Sequence, residues 1–173
     1  MNFKTEKLLK LMRLLAWIAF LGLLIKAGAI LMSFGVSVNN PEAAKDLYKG
    51  MDLSRYESYS FIHYTIIVMY FVLLYVMQAY IALFGAKLLS EINVEKPFNK
   101  RVVDLLHKIS YTIFGVGILA IVHNIHVAIL NVSTGIIADL IAGEFIFLAG
   151  LVYVLAKLFK KGAAMQAENE LTV

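Results

Sequence analysis

The residues of this sequence whose chemistry stands out lie inside long apolar stretches, where ionisable groups are rare. They are Lys26, His63, Gln78, His123, Asn124, His126, Asp139 and Glu144. A charged or strongly polar group inside lipid costs free energy, so each of them needs a partner or a purpose. Groups of these types can form ion pairs, relay protons or bind a metal ion. Counted by helix rise, all but Gln78 fall in the outer half of the predicted membrane region.

A metal site is one chemistry that these residue types allow. His123 and His126 lie three positions apart, which places both imidazoles on one helix face. His63, with Asp139 or Glu144, would complete three or four ligands for zinc or copper. This spacing recurs by chance, so we favour histidines that hydrogen-bond between helices and, with Asp139, line a polar vestibule open to the outside. We rank haem lower, because His63 is too shallow to match His123, and we predict no cofactor.

Lys26 and Glu144 are predicted to form an ion pair. Their estimated depths match, and each would otherwise be an uncompensated charge in lipid. Asp139 needs less help, because the backbone amides in the first turn of a helix favour a negative charge. Glu144 projects about 140° away from Asp139 around a straight helix, so these two carboxylates cannot serve one small site.

A proton or ion pathway would also use histidines and acids in series. Such a path needs polar steps through the inner half of the membrane, where only Gln78 and Thr112 are evident. The inner half therefore favours a sealed, packed bundle over a conducting path.

The composition of the whole chain limits the classes of protein to which it can belong. Of 173 residues, 61% are hydrophobic and only 16% are charged, which leaves too little polar surface for a soluble enzyme and too little charge for a disordered chain. The absence of cysteine removes disulfides and thiolate chemistry. No phosphate loop, nucleophile elbow or zinc-protease motif is present. We therefore predict a non-enzymatic protein, and the net charge of +4 carries no signature of direct nucleic-acid binding.

Four apolar stretches position the polar residues: 14–38, 61–86, 109–130 and 136–156. Each is long enough to cross a hydrocarbon core of about 30 Å as a helix. Basic residues before the first stretch, and Ala27-Gly28-Ala29 within it, mimic a cleaved signal peptide. Lys26 beside the cleavage position and the apolar residues beyond it favour a retained first helix.

Lysine and arginine are concentrated in the connections that alternating spans place on one side. Twelve lie before the first span, in the loop 87–108 or in the tail 157–173, whereas three lie in the loop 39–60. Positively charged connections stay in the cytoplasm, so the loop 39–60 faces outward. We predict an all-α membrane protein, one domain over 1–173, in which four transmembrane helices form an antiparallel bundle with both termini cytoplasmic.

The predicted loops contain recognisable helix ends. In the outer loop, Asn40 is expected to cap a short helix that has Pro41 at its first position and ends at Gly50. Asn99 is expected to cap a helix that begins in the cytoplasm before the third span. The connection 131–135 is short, so the last two helices are expected to be antiparallel neighbours. Four tyrosines around the outer loop favour an interfacial belt over an aromatic binding platform: Tyr48, Tyr56, Tyr59 and Tyr64.

Two short segments carry a family resemblance. The chain breaks at Lys96-Pro97-Phe98-Asn99 before a helix start, and it ends in Glu168-Asn169-Glu170-Leu171-Thr172-Val173. It thereby resembles the bacterial membrane family called domain of unknown function 2975, whose four-helix members have a central Pro-Phe connection and a terminal Glu-Asn-Asp-Leu-Thr-(Ile or Val). Glu170 replaces the aspartate. The resemblance implies the bacterial cytoplasmic membrane and no established activity. Members are often encoded beside a small helix-turn-helix regulator, which suggests a cytoplasmic partner.

Two functions remain open on the sequence alone. The first is regulatory or scaffolding work with a cytoplasmic partner, and the second is binding or transport of an ion, metal or small molecule by the outer polar cluster. The tail residues Asn169, Leu171, Thr172 and Val173 either dock as a strand or hook or fray. Small residues spaced four apart, as at Ala82 and Ala86, also allow a homo-oligomer.

Overall fold

The computed structural model of the chain describes residues 3–92, 98–135 and 145–171, all of whose regular elements are helical. The long helices are α1 (Phe3–Ser37), α3 (Phe61–Glu91), α4 (Lys100–Thr134) and α5 (Phe145–Leu171). A short 3₁₀ helix (Pro41–Lys45) and the short helix α2 (Ser54–Tyr59) lie between α1 and α3.

Three of the described helices are long and apolar enough to cross a membrane: Glu6–Ser37, Phe61–Glu91 and Lys100–Val132. They contain nearly all of the first three predicted spans. Large apolar side chains such as Ile25 and Met32 are 69% and 75% exposed, which suits a lipid surface. The chain therefore has the features of an integral membrane protein. Residues 136–144 of the fourth predicted span lie outside the described residues, so that span and the side on which each terminus lies stay predictions.

Helix enters the predicted loop 87–108 from both sides, and the helix that was predicted to follow Asn99 begins at Lys100. Residues 87–91 belong to α3 and residues 100–108 belong to α4. The predicted cap of α4 is confirmed: the backbone N–H of Val102 donates to Oδ1 of Asn99 at 2.9 Å. The apolar pattern on this side of the span extends the helix beyond the length that a bilayer needs.

The predicted connection 131–135 is wrong in its start, since α4 continues to Thr134. The helix ends where Gly135 takes a φ of +70° and donates its N–H to the carbonyl of Asn131 at 2.8 Å. Only glycine adopts this left-handed conformation at little cost, so Gly135, and not the polar Asn131, sets the end of the helix.

The chain divides into two compact units, each built from several segments. The first comprises residues 1–20, 80–115 and 144–173, and the second comprises residues 21–79 and 116–143. In the first unit, α4 packs on α5 through Val102 and Ala156, and the Ser110 hydroxyl donates to the carbonyl of Ala149 at 3.0 Å.

In the second unit, the outer loop is folded onto the helices. Ala44 and Leu47 are almost fully buried, and the N–H of Leu53 donates to the carbonyl of Ala44 at 2.9 Å. The core of this unit consists of residues from the loop and from α1, α3 and α4: Ile30, Ala44, Leu47, Leu53, Tyr56, Tyr64, Ile67, Val68 and Leu130.

The predicted cap in this loop is partly wrong. Pro41 begins a helix, but the helix is 3₁₀, ends at Lys45 and receives no side-chain cap from Asn40. The carbonyl of Asn40 instead accepts the N–H of Ala43 at 3.0 Å. Gly50, with a φ of +87°, forms a later turn in which its N–H donates to Oδ1 of Asp46 at 2.8 Å.

Candidate functional site

Two of the predicted polar residues meet directly in the second unit. Nδ1 of His63, in the first turn of α3, lies 2.9 Å from Nε2 of His126 on α4. The ring centroids are 5.2 Å apart. Tyr59 stacks on the His63 ring at 5.9 Å, and Tyr70 lies edge-on to the His126 ring at 5.9 Å. In a hydrogen bond between two imidazoles one nitrogen donates and the other accepts, so at least one of these rings is neutral.

His123 lies one turn before His126 on the same face of α4. Its side chain is only 1% exposed, and its ring is edge-on to Tyr70 at 5.4 Å and to Phe71 at 5.4 Å. Tyr70 of α3 therefore contacts His123 and His126 of α4. The predicted shared face of His123 and His126 is confirmed, and α3 is the neighbour that it contacts.

The three histidines do not form a metal site within the part of the chain that the structure describes. No group of three or more histidine, aspartate or glutamate side chains there is arranged to hold a metal ion. His63 and His126 would offer two nitrogen ligands, fewer than the three or four of zinc sites. Asp139 and Glu144, the carboxylates predicted to join them, lie outside the described residues.

Lys26 is stabilised by aromatic rings in the described part of the second unit. Its Nζ lies 4.1 Å from the ring centroid of Tyr75 on α3 and 5.5 Å from that of Tyr48 in the outer loop. The negative ring face attracts an ammonium group, most strongly where water is scarce. The predicted partner Glu144 lies outside the described residues, so that pair stays a prediction. A tyrosine within an apolar stretch was the signal for this contact.

The predicted interfacial belt is wrong for two of its four tyrosines. Tyr64 is fully buried and Tyr56 is 5% exposed, because both belong to the core that the loop 39–60 forms with α1, α3 and α4. The Ser37 hydroxyl donates to the carbonyl of Phe34 at 2.7 Å and lies 2.7 Å from the Tyr64 hydroxyl, which therefore donates to it. Tyr59 is half exposed, as a belt residue would be.

In the first unit, the segment after the central break connects three helices. Phe98 lies edge-on to Phe159 of α5, with ring centroids 5.2 Å apart. Asn99 caps α4, and its Nδ2 donates to the carbonyl of Glu91 at the end of α3, at 3.2 Å. Gly162 of α5 lies so near Phe98 that a β-carbon there would be 2.8 Å from the ring. We call Phe98, Asn99, Phe159 and Gly162 the helix junction.

A family model for a protein of unknown function, DUF2975, matches residues 39–173. The chain belongs to this family. The match includes the histidine pair and the helix junction. Comparisons with curated proteins and with solved structures gave no match.

In this DUF2975 chain, two of the predicted tail residues are helical. Asn169 and Leu171 belong to the last turn of α5. Thr172 and Val173 lie outside the described residues. The docking of this end of the DUF2975 chain on a partner stays a prediction.

In this DUF2975 chain, His107 precedes the third apolar stretch, and its surroundings were not predicted from the sequence. The His107 ring stacks on Tyr111 at 6.0 Å and lies edge-on to Tyr153 of α5 at 5.8 Å. Its Nδ1 is buried and has no hydrogen-bond partner among the described residues. The four-residue spacing of His107 and Tyr111 on one helix was the available signal. These are packing contacts between aromatic rings. His107 is therefore a suitable control for substitutions in the histidine pair.

Proposed function

We propose that this chain is a non-enzymatic regulatory protein of the bacterial cytoplasmic membrane, with an outer element that responds to protons and a cytoplasmic partner. The observation that carries this proposal is the 2.9 Å contact between the rings of His63 and His126. Histidine changes charge near neutral pH, so a contact between two histidines is suited to a switch.

When one of the two rings is already positively charged, one acceptor nitrogen is left, and it accepts the hydrogen bond between the rings. A further proton on that nitrogen breaks the bond and places two positive charges side by side. The ionisable groups that the described structure places around the pair are Tyr59, Tyr70 and His123. None of the three carries a negative charge near neutral pH to offset such repulsion. Double protonation therefore favours separation of α3 from α4 at this point, which gives the two arrangements that regulation requires.

A non-enzymatic function is supported by the bonding of the hydroxyl groups. Ser110 donates to a carbonyl of α5, and Thr65 and Thr112 donate to carbonyls of their own helices. Ser37 bonds to a carbonyl and to Tyr64. A serine or threonine nucleophile would instead be hydrogen-bonded to a base such as histidine.

The partner that we propose is a small helix-turn-helix regulator that contacts the positively charged helix ends, with self-association as an additional contact. Lys160 and Lys161 lie on α5, which continues for ten residues beyond them to Leu171. Nucleic acid would be bound by the regulator, not by this chain.

The experiment is a crosslinking pull-down of the full-length chain from native membranes, with the outer medium at about pH 7.5 and at about pH 5.5, on either side of the usual pKa of histidine. We expect partner recovery to change with outer pH in the wild type and in His107→Gln. In His126→Gln, which keeps a hydrogen-bonding side chain but cannot gain a proton, recovery should be constant. Recovery that ignores pH in the wild type, or follows pH in His126→Gln, would contradict the proposal.

The alternative is a protein that binds or transports an ion, a metal or a small molecule at the outer cluster. The position of His123 beside the His63–His126 pair favours it. Binding of Zn²⁺ would raise the melting temperature of the wild type and of His107→Ala but not of His126→Ala. An equal melting temperature with and without Zn²⁺ would remove the zinc version of this alternative.

A further inference from the structure

We propose that a cavity in the first unit binds the phosphate headgroup of an anionic phospholipid. The cavity has a volume of about 340 Å³ and lies between α1 and α3. We call it the basic cavity, and the side chains that matter for ligand binding are Lys10, Arg13, Leu14, Trp17, Lys87 and Ser90. This inference is independent of the proposed function.

The charge of the basic cavity indicates an anionic ligand. Lys10, Arg13 and Lys87 bring three positive groups to one small space. The described ion pairs Lys45–Glu42 and Arg101–Glu91 use none of these three cations. A cleft lined by groups of one sign, with low-dielectric walls, concentrates counter-ions of the opposite sign. A phosphate group can bond to more than one of the three cations at once.

The level of the basic cavity along its helices indicates that this phosphate belongs to a lipid. On α1 the chain changes at Leu14 from charged to apolar, and on α3 it changes at Lys87 from apolar to charged. Both changes meet at this cavity. Trp17, whose side chain is 42% exposed, is the type of residue that lies at the headgroup level of a membrane. Basic pockets between transmembrane helices at this level bind anionic headgroups.

The apolar part of the lining favours a phospholipid over free phosphate. Leu14 and Trp17 are both largely exposed and border the cavity on its membrane side. They would contact the glycerol and the first carbons of an acyl chain, while the three cations hold the phosphate. Inorganic phosphate has no group that would occupy this apolar part.

The test is native mass spectrometry of the purified full-length chain, titrated with phosphatidylglycerol and with phosphatidylcholine. We expect phosphatidylglycerol to bind the wild type about tenfold more tightly than phosphatidylcholine does, or more. Replacing Lys10, Arg13 and Lys87 together by glutamine should weaken it by roughly tenfold or more, since each cation near a membrane surface attracts anionic lipid by an amount that corresponds to about a fivefold change in affinity. Melting temperatures of both forms show whether the variant is folded.

Two further variants distinguish binding in the basic cavity from non-specific electrostatic attraction of anionic lipid to the protein. The triple variant Lys100→Gln, Lys108→Gln and Lys160→Gln removes the same amount of charge from exposed positions outside the cavity. It should change the affinity for phosphatidylglycerol by less than about twofold. Ser90→Trp fills the cavity at an exposed position without changing charge, and it should weaken binding as much as the cavity triple variant. Equal losses in the two triple variants, or unchanged binding in Ser90→Trp, would overturn the proposal. Displacement of the lipid by millimolar inorganic phosphate would also overturn it, in favour of a free-phosphate site.

Discussion

A hydrogen bond between two imidazole rings links their protonation, because the acceptor nitrogen must carry no proton. His63 and His126 are in this situation, with an edge contact from Tyr70 and a stacking contact from Tyr59. The charge of each ring thus depends on the protonation of the other ring and on the separation of α3 and α4. A proton gained by one ring therefore changes the hydrogen bond of the other.

The first prediction concerns this pair. On acidification from about pH 7.5 to 5, the wild type should lose the hydrogen bond, worth about 1 kcal/mol, and melt roughly 2–4 °C lower. His126→Gln should show a smaller loss over the same range, because glutamine takes up no proton. Thermal unfolding followed by intrinsic fluorescence measures both, with His107→Gln as the control that keeps the pair intact. The same pH dependence in His126→Gln would show that other groups are responsible.

The second prediction concerns Asp52 in the outer loop. Its Oδ1 accepts the N–H and the hydroxyl of Ser54 at 2.9 and 2.6 Å, and these hydrogen bonds, the hydroxyl first, hold the pKa of Asp52 below its usual 3.8. Because the folded-state pKa is lowered, this turn is stabilised above about pH 3.8 and the effect is lost as pH falls through the lower folded-state value. Ser54→Ala should raise the pKa of Asp52 toward 3.8 in an NMR titration. An unchanged value would show that the hydroxyl does not contribute.

The third prediction concerns Lys26 and the ring of Tyr75. Tyr75→Leu should lower the free energy of unfolding by about 0.5–2 kcal/mol through loss of the cation–π contact, in addition to any packing loss, whereas Tyr75→Phe keeps a ring and should cost less. In a Lys26→Met background the cation–π part should vanish, so the cost of Tyr75→Leu should be smaller. A cost that is identical in the two backgrounds would exclude this contact as the source.

At the scale of helices, the helix junction connects one short segment to three helices. Phe98 contacts α5, while Asn99 bonds to the end of α3 and caps α4. Substitution at either residue therefore affects several helices at once. The sequence pattern predicted only a chain break and a helix cap in this segment. The neighbouring residues do not indicate which helix the ring of Phe98 contacts.

The fourth prediction is the effect of a methyl group at this junction. Gly162→Ala places a carbon 2.8 Å from the Phe98 ring and should displace it from Phe159, at a cost of about 1–3 kcal/mol. Gly150→Ala is the matched control on the same helix, because its added carbon would meet nothing within 4 Å. It should be neutral or stabilising by up to about 1 kcal/mol. Thermal unfolding compares them, and equal melting temperatures would show that Phe98 shifts without cost.

The extent to which the helices could be predicted follows from what determines each end. The apolar stretches predicted α1, α3 and α4, and the cap at Asn99 was predicted because it depends on neighbouring residues alone. The burial of Tyr64 and the pairing of His63 with His126 depend on contacts between segments distant in sequence. Estimated depth placed those histidines in the outer half of the predicted membrane region, but only packing determines which rings meet.

At the scale of the whole molecule, the polar and charged features separate between the two units. The histidine pair and the lysine–tyrosine contact belong to the second unit, and the basic cavity and the helix junction belong to the first. Three helices, α1, α3 and α4, supply residues to both units.

The fifth prediction decides between three and four membrane spans. The chain has no cysteine, so a single introduced cysteine reports its own side through labelling by a membrane-impermeant maleimide. Four spans place both termini inside, as the distribution of lysine and arginine predicts. In intact cells, Lys49→Cys should then be labelled, while Glu6→Cys and Lys161→Cys should be labelled only after permeabilisation.

Three spans would place the two termini on opposite sides, because each crossing changes the side. The lysines of α5 would then lie outside, against the preference of positive charge for the cytoplasm. Lys108→Cys, on α4 immediately before the predicted span 109–130, is the internal control, since both arrangements place it inside when Lys49→Cys is outside. Labelling of Lys161→Cys in intact cells, with Glu6→Cys protected, would establish three spans and remove α5 as a cytoplasmic surface for a partner.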